Sequence, residues 1–109
     1  MTDIEIKNKL LTAYSRNFGN NVSGLAEAAR EHCIDDYNIF KEEFDAIQSE
    51  MYNYIDDYTE KENIQLTGAE LEAITKAYCE VRFAWIDAEA FRSLMDYLAW
   101  ICWHEGILK

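Results

Sequence analysis

Large apolar residues recur along this chain at steps of three and four, the spacing that keeps side chains on one face of an α-helix. The clearest run is Tyr37, Phe40, Phe44, Ile47, Met51, Tyr54 and Tyr58, seven residues on a single stripe that strand alternation would not produce. Asp35 or Asp36 is placed to cap this helix, where a carboxylate also suits the positive end of the helix dipole. Ahead of it, Thr2 and Glu5 stand at capping-box spacing and open a first helix that runs to about Asn17, with Ile4, Leu10, Leu11 and Tyr14 inward. Phe18-Gly19-Asn20-Asn21 is turn chemistry, and Ser23 is placed to cap a shorter second helix reaching about Cys33.

Beyond the polar run Thr59-Glu60-Lys61-Glu62-Asn63, Thr67 and Glu70 repeat the capping-box spacing. They open a region with Leu71, Ile74, Tyr78, Val81, Trp85 and Ala88 inward. The stripe then slips and resumes at Phe91, Met95, Leu98 and Cys102. One straight helix over residues 68–104 would be about 55 Å long, ungainly for a domain of this size. The slip therefore predicts a break near residues 85–88, with Asp87 as a new cap. The expected fold is all-α, a small bundle of four to five helices, with residues 1–109 as a single helical domain.

Half of the 109 residues are apolar and 14% are aromatic, too many for a disordered tail despite a formal net charge of −11. The charge must lie on a folded surface. Three cysteines and no apolar signal segment lead to the expectation of a reducing, cytoplasmic location. The most apolar window, residues 83–103, is interrupted by Asp87, Glu89, Arg92 and Asp96, so it is no membrane span.

The charge is concentrated. Residues 35–72 carry 12 acids and two bases, a net of −10, while nine acids and eight bases elsewhere leave −1. On the third helix Asp36, Glu43, Glu50 and Asp57 are seven apart, with Asp35, Glu42 and Asp56 at the same interval beside them. Seven residues are two turns, so these acids form a rail flanking the apolar stripe, only lightly neutralised and continued by Glu60 and Glu62. Such a rail is either a solvated face that keeps the protein soluble or a field that steers a basic partner. Interleaved tyrosines favour the second reading, because Tyr52, Tyr54 and Tyr58 lie among the acids and Tyr52 points off the stripe. Exposed tyrosines ringed by carboxylates are the material of interface hot spots. Residues 98–103 are apolar all round, so Trp100 and Trp103 call for cover by another helix or by a second copy of the chain.

The residues of common catalytic centres are not arranged for chemistry. Neither His32 nor His104 follows a glutamate by three, as di-iron bundles require. Cys33, Cys79 and Cys102 form no Cys-x-x-Cys pair for zinc. No phosphate loop, nucleophile elbow or EF-hand spacing occurs. Glu42, Glu43 and Asp45 with Glu70 and Glu72 could in principle hold magnesium, as in all-helical nucleotide pyrophosphohydrolases. The Glu-x-x-Asp pair those enzymes carry in a C-terminal helix is missing. Direct nucleic-acid binding needs clustered lysine and arginine, the opposite of this surface. Neither a catalytic residue nor a metal or other cofactor is expected.

Trp85-Ile-Asp-Ala-Glu followed by Tyr97-Leu98 resembles the C-terminal helix of the DNA-mimicking antirestriction proteins of T7-like phages, the overcome-classical-restriction type. That resemblance implies a dimer whose carboxylates imitate backbone phosphates and occupy the DNA groove of a host defence enzyme. Tyr52, Tyr54, Asp56, Asp57 and Tyr58 are similar in kind to the patch of the small acidic helical immunity proteins that neutralise nuclease toxins. Both resemblances imply one expected function: an inhibitor that blocks a basic nucleic-acid-handling enzyme through Asp36, Glu43, Glu50, Tyr52, Tyr54, Asp56, Asp57, Tyr58, Glu60 and Glu62. The alternative from a different class is a structural or assembly adaptor working through the apolar C-terminal helix.

Overall fold

The chain folds into five helices in a computed structural model that describes residues 1–16 and 20–109. They are α1 (Asp3–Ser15), α2 (Val22–Glu31), α3 (Asn38–Glu62), α4 (Gly68–Arg82) and α5 (Ala88–His104). The fold is the expected all-α bundle. No helix is long and apolar enough to cross a membrane. The expected end of α1 at Asn17 and the Phe18-Gly19 part of the turn lie outside the described residues; the last helical residue of α1 is Ser15.

Side-chain caps open four of the five helices. Thr2 accepts the Glu5 amide at 3.1 Å, and Thr67 and Glu70 complete a reciprocal capping box at 3.0 and 3.1 Å. Asp87 accepts the Ala90 amide at 2.9 Å, so the break between α4 and α5 falls where the slipped stripe placed it. Two caps differ from expectation. Asn21, not Ser23, caps α2 by accepting the Gly24 amide at 2.9 Å, which leaves Ser23 inside the first turn. Tyr37 stands at the cap position of α3 with no side-chain cap, and the Asp36 carboxylate instead accepts the amide of Asn38, the first residue of the helix. Gly24 stands close on α1, where an added Cβ would come within 3.0 Å of the Ala13 carbonyl oxygen.

Helices α2, α3 and α5 close in the same way. Cys33, Asn63 and Gly106 take φ of +59°, +53° and +77°. The isoleucine that follows each returns its amide to the helix: Ile34 to Ala29 at 2.8 Å, Ile64 to Thr59 at 3.2 Å and Ile107 to Cys102 at 2.9 Å. This is the Schellman closure, which satisfies carbonyls a helix end leaves free. Glycine adopts it at no steric cost, whereas a Cβ at Cys33 costs roughly 1–2 kcal/mol. The tail after Gly106 then pairs with the α3–α4 connection. Leu66 donates to the Ile107 carbonyl and Lys109 donates to that of Leu66, both at 2.9 Å.

Helix α1 packs against α5, α2 and α3, and its Leu10, Leu11 and Tyr14 are fully buried. Ile4, expected inward, is exposed, because residues 1–5 all stand clear of the bundle. On α3 the buried side is Phe44, Ile47, Gln48, Met51, Ile55 and Thr59, so the stripe turns to Ile55 where Tyr54 and Tyr58 were expected to continue it. On α4 the buried residues are Leu71, Thr75 and Cys79 at four-residue steps. Val81, expected inward, is 88% exposed.

Polar side chains fix how α1 and α5 meet. The buried amide of Asn8 donates to the carbonyls of Ile4, at 3.0 Å, and Trp85, at 2.9 Å. Its oxygen accepts the Asp87 amide at 2.8 Å. One side chain thus ties α1 to both sides of the α4–α5 break. A turn further on, the Ser93 hydroxyl donates to the Thr12 carbonyl at 2.7 Å. Asn8→Ala leaves the Trp85 carbonyl and Asp87 amide unpaired, and stranded buried groups cost about 1–3 kcal/mol each. The variant is expected to lose about 3 kcal/mol in urea unfolding, and a loss under about 0.5 kcal/mol would show that the break holds without it.

Candidate functional site

Glu43, Glu50 and Asp57 keep to one flank of α3 as expected, but the row is not free along its length. Successive positions on a helix are rotated by 100°, so Glu43 and Glu50 turn to one flank and Asp45 to the other, while Glu42 and Glu60 face outward. The flanking three are consumed by the fold. Glu43 pairs with Lys7, whose ammonium also lies 4.2 Å from the centre of the Trp85 ring. Asp45 accepts the Tyr14 hydroxyl and pairs with Lys41 at 2.9 Å. Glu50 accepts the Tyr78 hydroxyl at 2.7 Å and the Arg82 guanidinium at 2.9 Å. The rail expected to be only lightly neutralised is therefore paired along its middle, at Glu43 and Glu50 by Lys7 and Arg82, which lie far off in the sequence.

The C-terminal third of α3 is different. The carboxylates of Asp56, Asp57 and Glu60 lie within 4.8 Å of one another. Among the described residues no ion pair reaches any of them. Asp57, Glu60 and Glu62 are exposed and Asp56 is half-buried. Asp36 is exposed at the opposite end of α3 and is not part of this group. The alternative carboxylate set, Glu42, Glu43 and Asp45 with Glu70 and Glu72, is not brought together. Glu43 and Asp45 are in ion pairs, and Glu70 closes the α4 capping box, whose hydrogen bonds hold its carboxyl below the usual range.

The tyrosines divide differently from the sequence reading. Tyr52, expected off the stripe, is half-buried against the core, and Tyr58 is likewise half-buried. Tyr54, expected on the stripe, is the one that is 40% exposed. It stacks on Tyr78 with ring centres 4.2 Å apart. Burial, then Asp56 and Glu105, raise the Tyr52 phenol above its ordinary value. Glu105, just past α5, thus adds to the negative field at this end, a neighbour no count along the chain could find.

Searches by sequence and by fold find no matching protein family, characterised protein or solved structure. The residues themselves carry the reading. Trp85-Ile-Asp-Ala-Glu straddles the α4–α5 connection, with only its last two residues in α5. Trp100 and Trp103 are 39% and 63% exposed, and His104 meets both rings edge-on at 4.4 and 5.1 Å. Among the described residues His104 is the aromatic neighbour of Trp103, and most of that ring is left open.

The same electrostatics set the alkaline limit of the fold. Burial, then Asp56, pushes the Cys102 thiol up to about 11. Burial likewise raises the Tyr14 and Tyr97 phenols, with Asp45 adding in each case. The Tyr78 phenol is raised first by its hydrogen bond to Glu50. Each group keeps its proton in the folded state at a pH where the unfolded chain has lost it. The unfolded state then binds fewer protons, so stability falls as pH rises. The melting temperature is expected to fall between pH 9 and about 11, and Cys102→Ala should flatten that arm while lowering the whole curve. A melting temperature level to pH 11 would contradict the burial of these groups.

Proposed function

We propose that this chain is an acidic inhibitor protein, acting by binding and not by catalysis, that blocks a basic nucleic-acid-handling enzyme by presenting carboxylates where that enzyme expects phosphates. The observation that carries this reading is the group Asp56, Asp57 and Glu60, three carboxylates within 4.8 Å and free of ion pairs among the described residues. Like charges so close repel, a cost that is accounted for if a cationic partner removes it. Tyr54, exposed two to three residues before the two aspartates, supplies the low-entropy contact area an interface centre needs. The phage anti-defence role, antirestriction or anti-CRISPR, in a host cytoplasm is the preferred form of this reading, with immunity against a nuclease toxin as its near relative.

A second reading rests on the exposed Trp100 and Trp103, which suit a homodimer or an assembly adaptor using α5. Two sets of substitutions separate the two. Capture of bacterial lysate on the tagged protein at low salt, followed by salt elution and mass spectrometry, is expected to yield one basic nuclease or DNA-binding enzyme. Asp56→Lys, Asp57→Lys and Glu60→Lys together should abolish that capture without changing helicity, while Trp100→Ala with Trp103→Ala leaves it intact. Glu43 and Glu50 are unsuited to this test, because reversing them breaks ion pairs of the fold. Capture that survives the charge reversal and fails with the tryptophan variant would replace the inhibitor reading by the adaptor one.

A further inference from the structure

The turn from α4 into α5 leaves a cleft of about 390 Å³. Its lining is apolar inside: Cys79 and Phe83 are buried, Ile86 and Phe91 are half-buried, and Ala84 and Ala88 are exposed toward its mouth. Small-molecule sites run from roughly 300 to 1,000 Å³ and are mostly apolar with a few polar groups placed around them. The walls of this cleft are fixed before anything enters it. Phe83 donates its amide to the Cys79 carbonyl at 2.8 Å, and Ile86 donates to the Phe83 carbonyl at 3.0 Å. Asn8 holds the Asp87 amide at 2.8 Å, and Tyr78 meets the Phe83 ring edge-on with centres 6.4 Å apart.

Charges of both signs ring the opening. Glu72, Lys76 and Glu80 follow one another along α4 at four-residue steps, about 6 Å apart, and Arg92 is contributed by α5. Asp87, the fifth, is already engaged with the Ala90 amide as the α5 cap. All five are exposed, and none is in an ion pair among the described residues. Attraction between exposed neighbours such as Lys76 and Glu72 or Glu80 is weak enough for a ligand to displace. A rim of mixed sign repels a net anion at the glutamates and a net cation at Lys76 and Arg92. A molecule that carries both charges meets neither penalty when its ammonium turns to Glu72 or Glu80 and its carboxylate to Lys76 and Arg92. The cleft of about 440 Å³ at the start of α1, walled by Ile4, Ile6, Ile34 and Phe40, lacks this provision, since Lys7 on its rim is already held by Glu43 and the Trp85 ring.

We infer that the cleft between α4 and α5 is a binding site for a small zwitterion with an aromatic body, the chemical class of a free aromatic amino acid. The ring enters between Ile86 and Phe91 and covers apolar surface that the connection leaves open, with Phe83 and Phe91 offering aromatic partners. The charged ends stay at the mouth, where the rim discriminates a zwitterion from an ion of either sign. The site shares no residue with Asp56, Asp57 and Glu60 or with Trp100 and Trp103, so it does not depend on the reading of the chain as an inhibitor.

The test uses probes that share an indole ring and differ in charge: zwitterionic tryptophan, uncharged indole, cationic tryptamine and anionic indole-3-acetate. Each is titrated into the full chain at neutral pH and followed by amide NMR shifts. Tryptophan is expected to bind about tenfold more tightly than the other three and to shift the amides of Ala84, Ala88 and Phe91. Lys76→Gln with Arg92→Gln should weaken tryptophan about tenfold and leave indole unchanged, a split that damage to the fold would not produce. Both side chains are exposed and glutamine is a good helix former, so helicity should not change. Indole binding as tightly as tryptophan, or either singly charged probe binding more tightly, would overturn the assignment to a zwitterion. Shifts centred on Ile6, Ile34 and Phe40, or no shift with any probe, would overturn the site itself.

Discussion

The break between α4 and α5 is held by one buried amide. Asn8 offers a donor to the Trp85 carbonyl and an acceptor to the Asp87 amide, the two backbone groups that a continuous helix would have paired along its own axis. Asp87 then caps the new helix, and Lys7, the adjacent residue of α1, covers the Trp85 ring and reaches Glu43. With the break pinned on α1, α5 runs beside α1 in the same direction, as the Ser93–Thr12 bond one turn later shows. That course brings the end of α5 to the distal part of α3, where Glu105 and Asp56 act on Tyr52. The composition of the acidic end thus depends on an interaction made from the middle of α1.

Two groups of carboxylates emerge from one acidic helix. Glu43, Asp45 and Glu50 each hold a base, and two of them also hold a buried or half-buried tyrosine hydroxyl. Exposed ion pairs contribute little by themselves, about 0–1 kcal/mol. These three matter more through the elements they join: α1 to α3 by Lys7–Glu43 and Tyr14–Asp45, and α3 to α4 by Arg82–Glu50. Asp56, Asp57 and Glu60 join nothing among the described residues and repel one another. After burial, Asp56 is the next cause that raises both the Tyr52 phenol and the Cys102 thiol.

Most local signals were legible in the sequence, the Ser23 and Asp36 caps excepted, and distant ones were not. The Thr67–Glu70 capping box, the Thr2 cap, the break and the Asp87 cap all rest on residues within a few positions of each other, and each is found as read. The phase of the apolar stripes was not legible, because α3 and α4 carry apolar residues at two phases. Tyr54 and Tyr58 compete with Ile55 and Thr59, and Ile74, Tyr78 and Val81 compete with Leu71, Thr75 and Cys79. Periodicity alone counts the larger residues, whereas close packing of α4 on its neighbours selects the smaller threonine and cysteine for the inside. Pairings such as Lys7–Glu43 and Arg82–Glu50 bridge more than thirty residues and vanish in a count of charge along the chain. The left-handed closures at Cys33 and Asn63 were missed because neither is the glycine that marks such an end.

The division of the acids into those the fold uses and those it leaves over is tested most directly by neutralising each group without changing its size. Thermal unfolding at low salt would compare Glu43→Gln, Asp45→Asn, Glu50→Gln with Asp56→Asn, Asp57→Asn, Glu60→Gln. The first triple variant is expected to melt below the parent chain and the second above it, by a few degrees, since relief of about 1 kcal/mol moves a domain of this size by roughly 4–8 °C. A distal triple variant that melts lower than the parent would contradict the account, because those carboxylates would then be part of what holds the fold together.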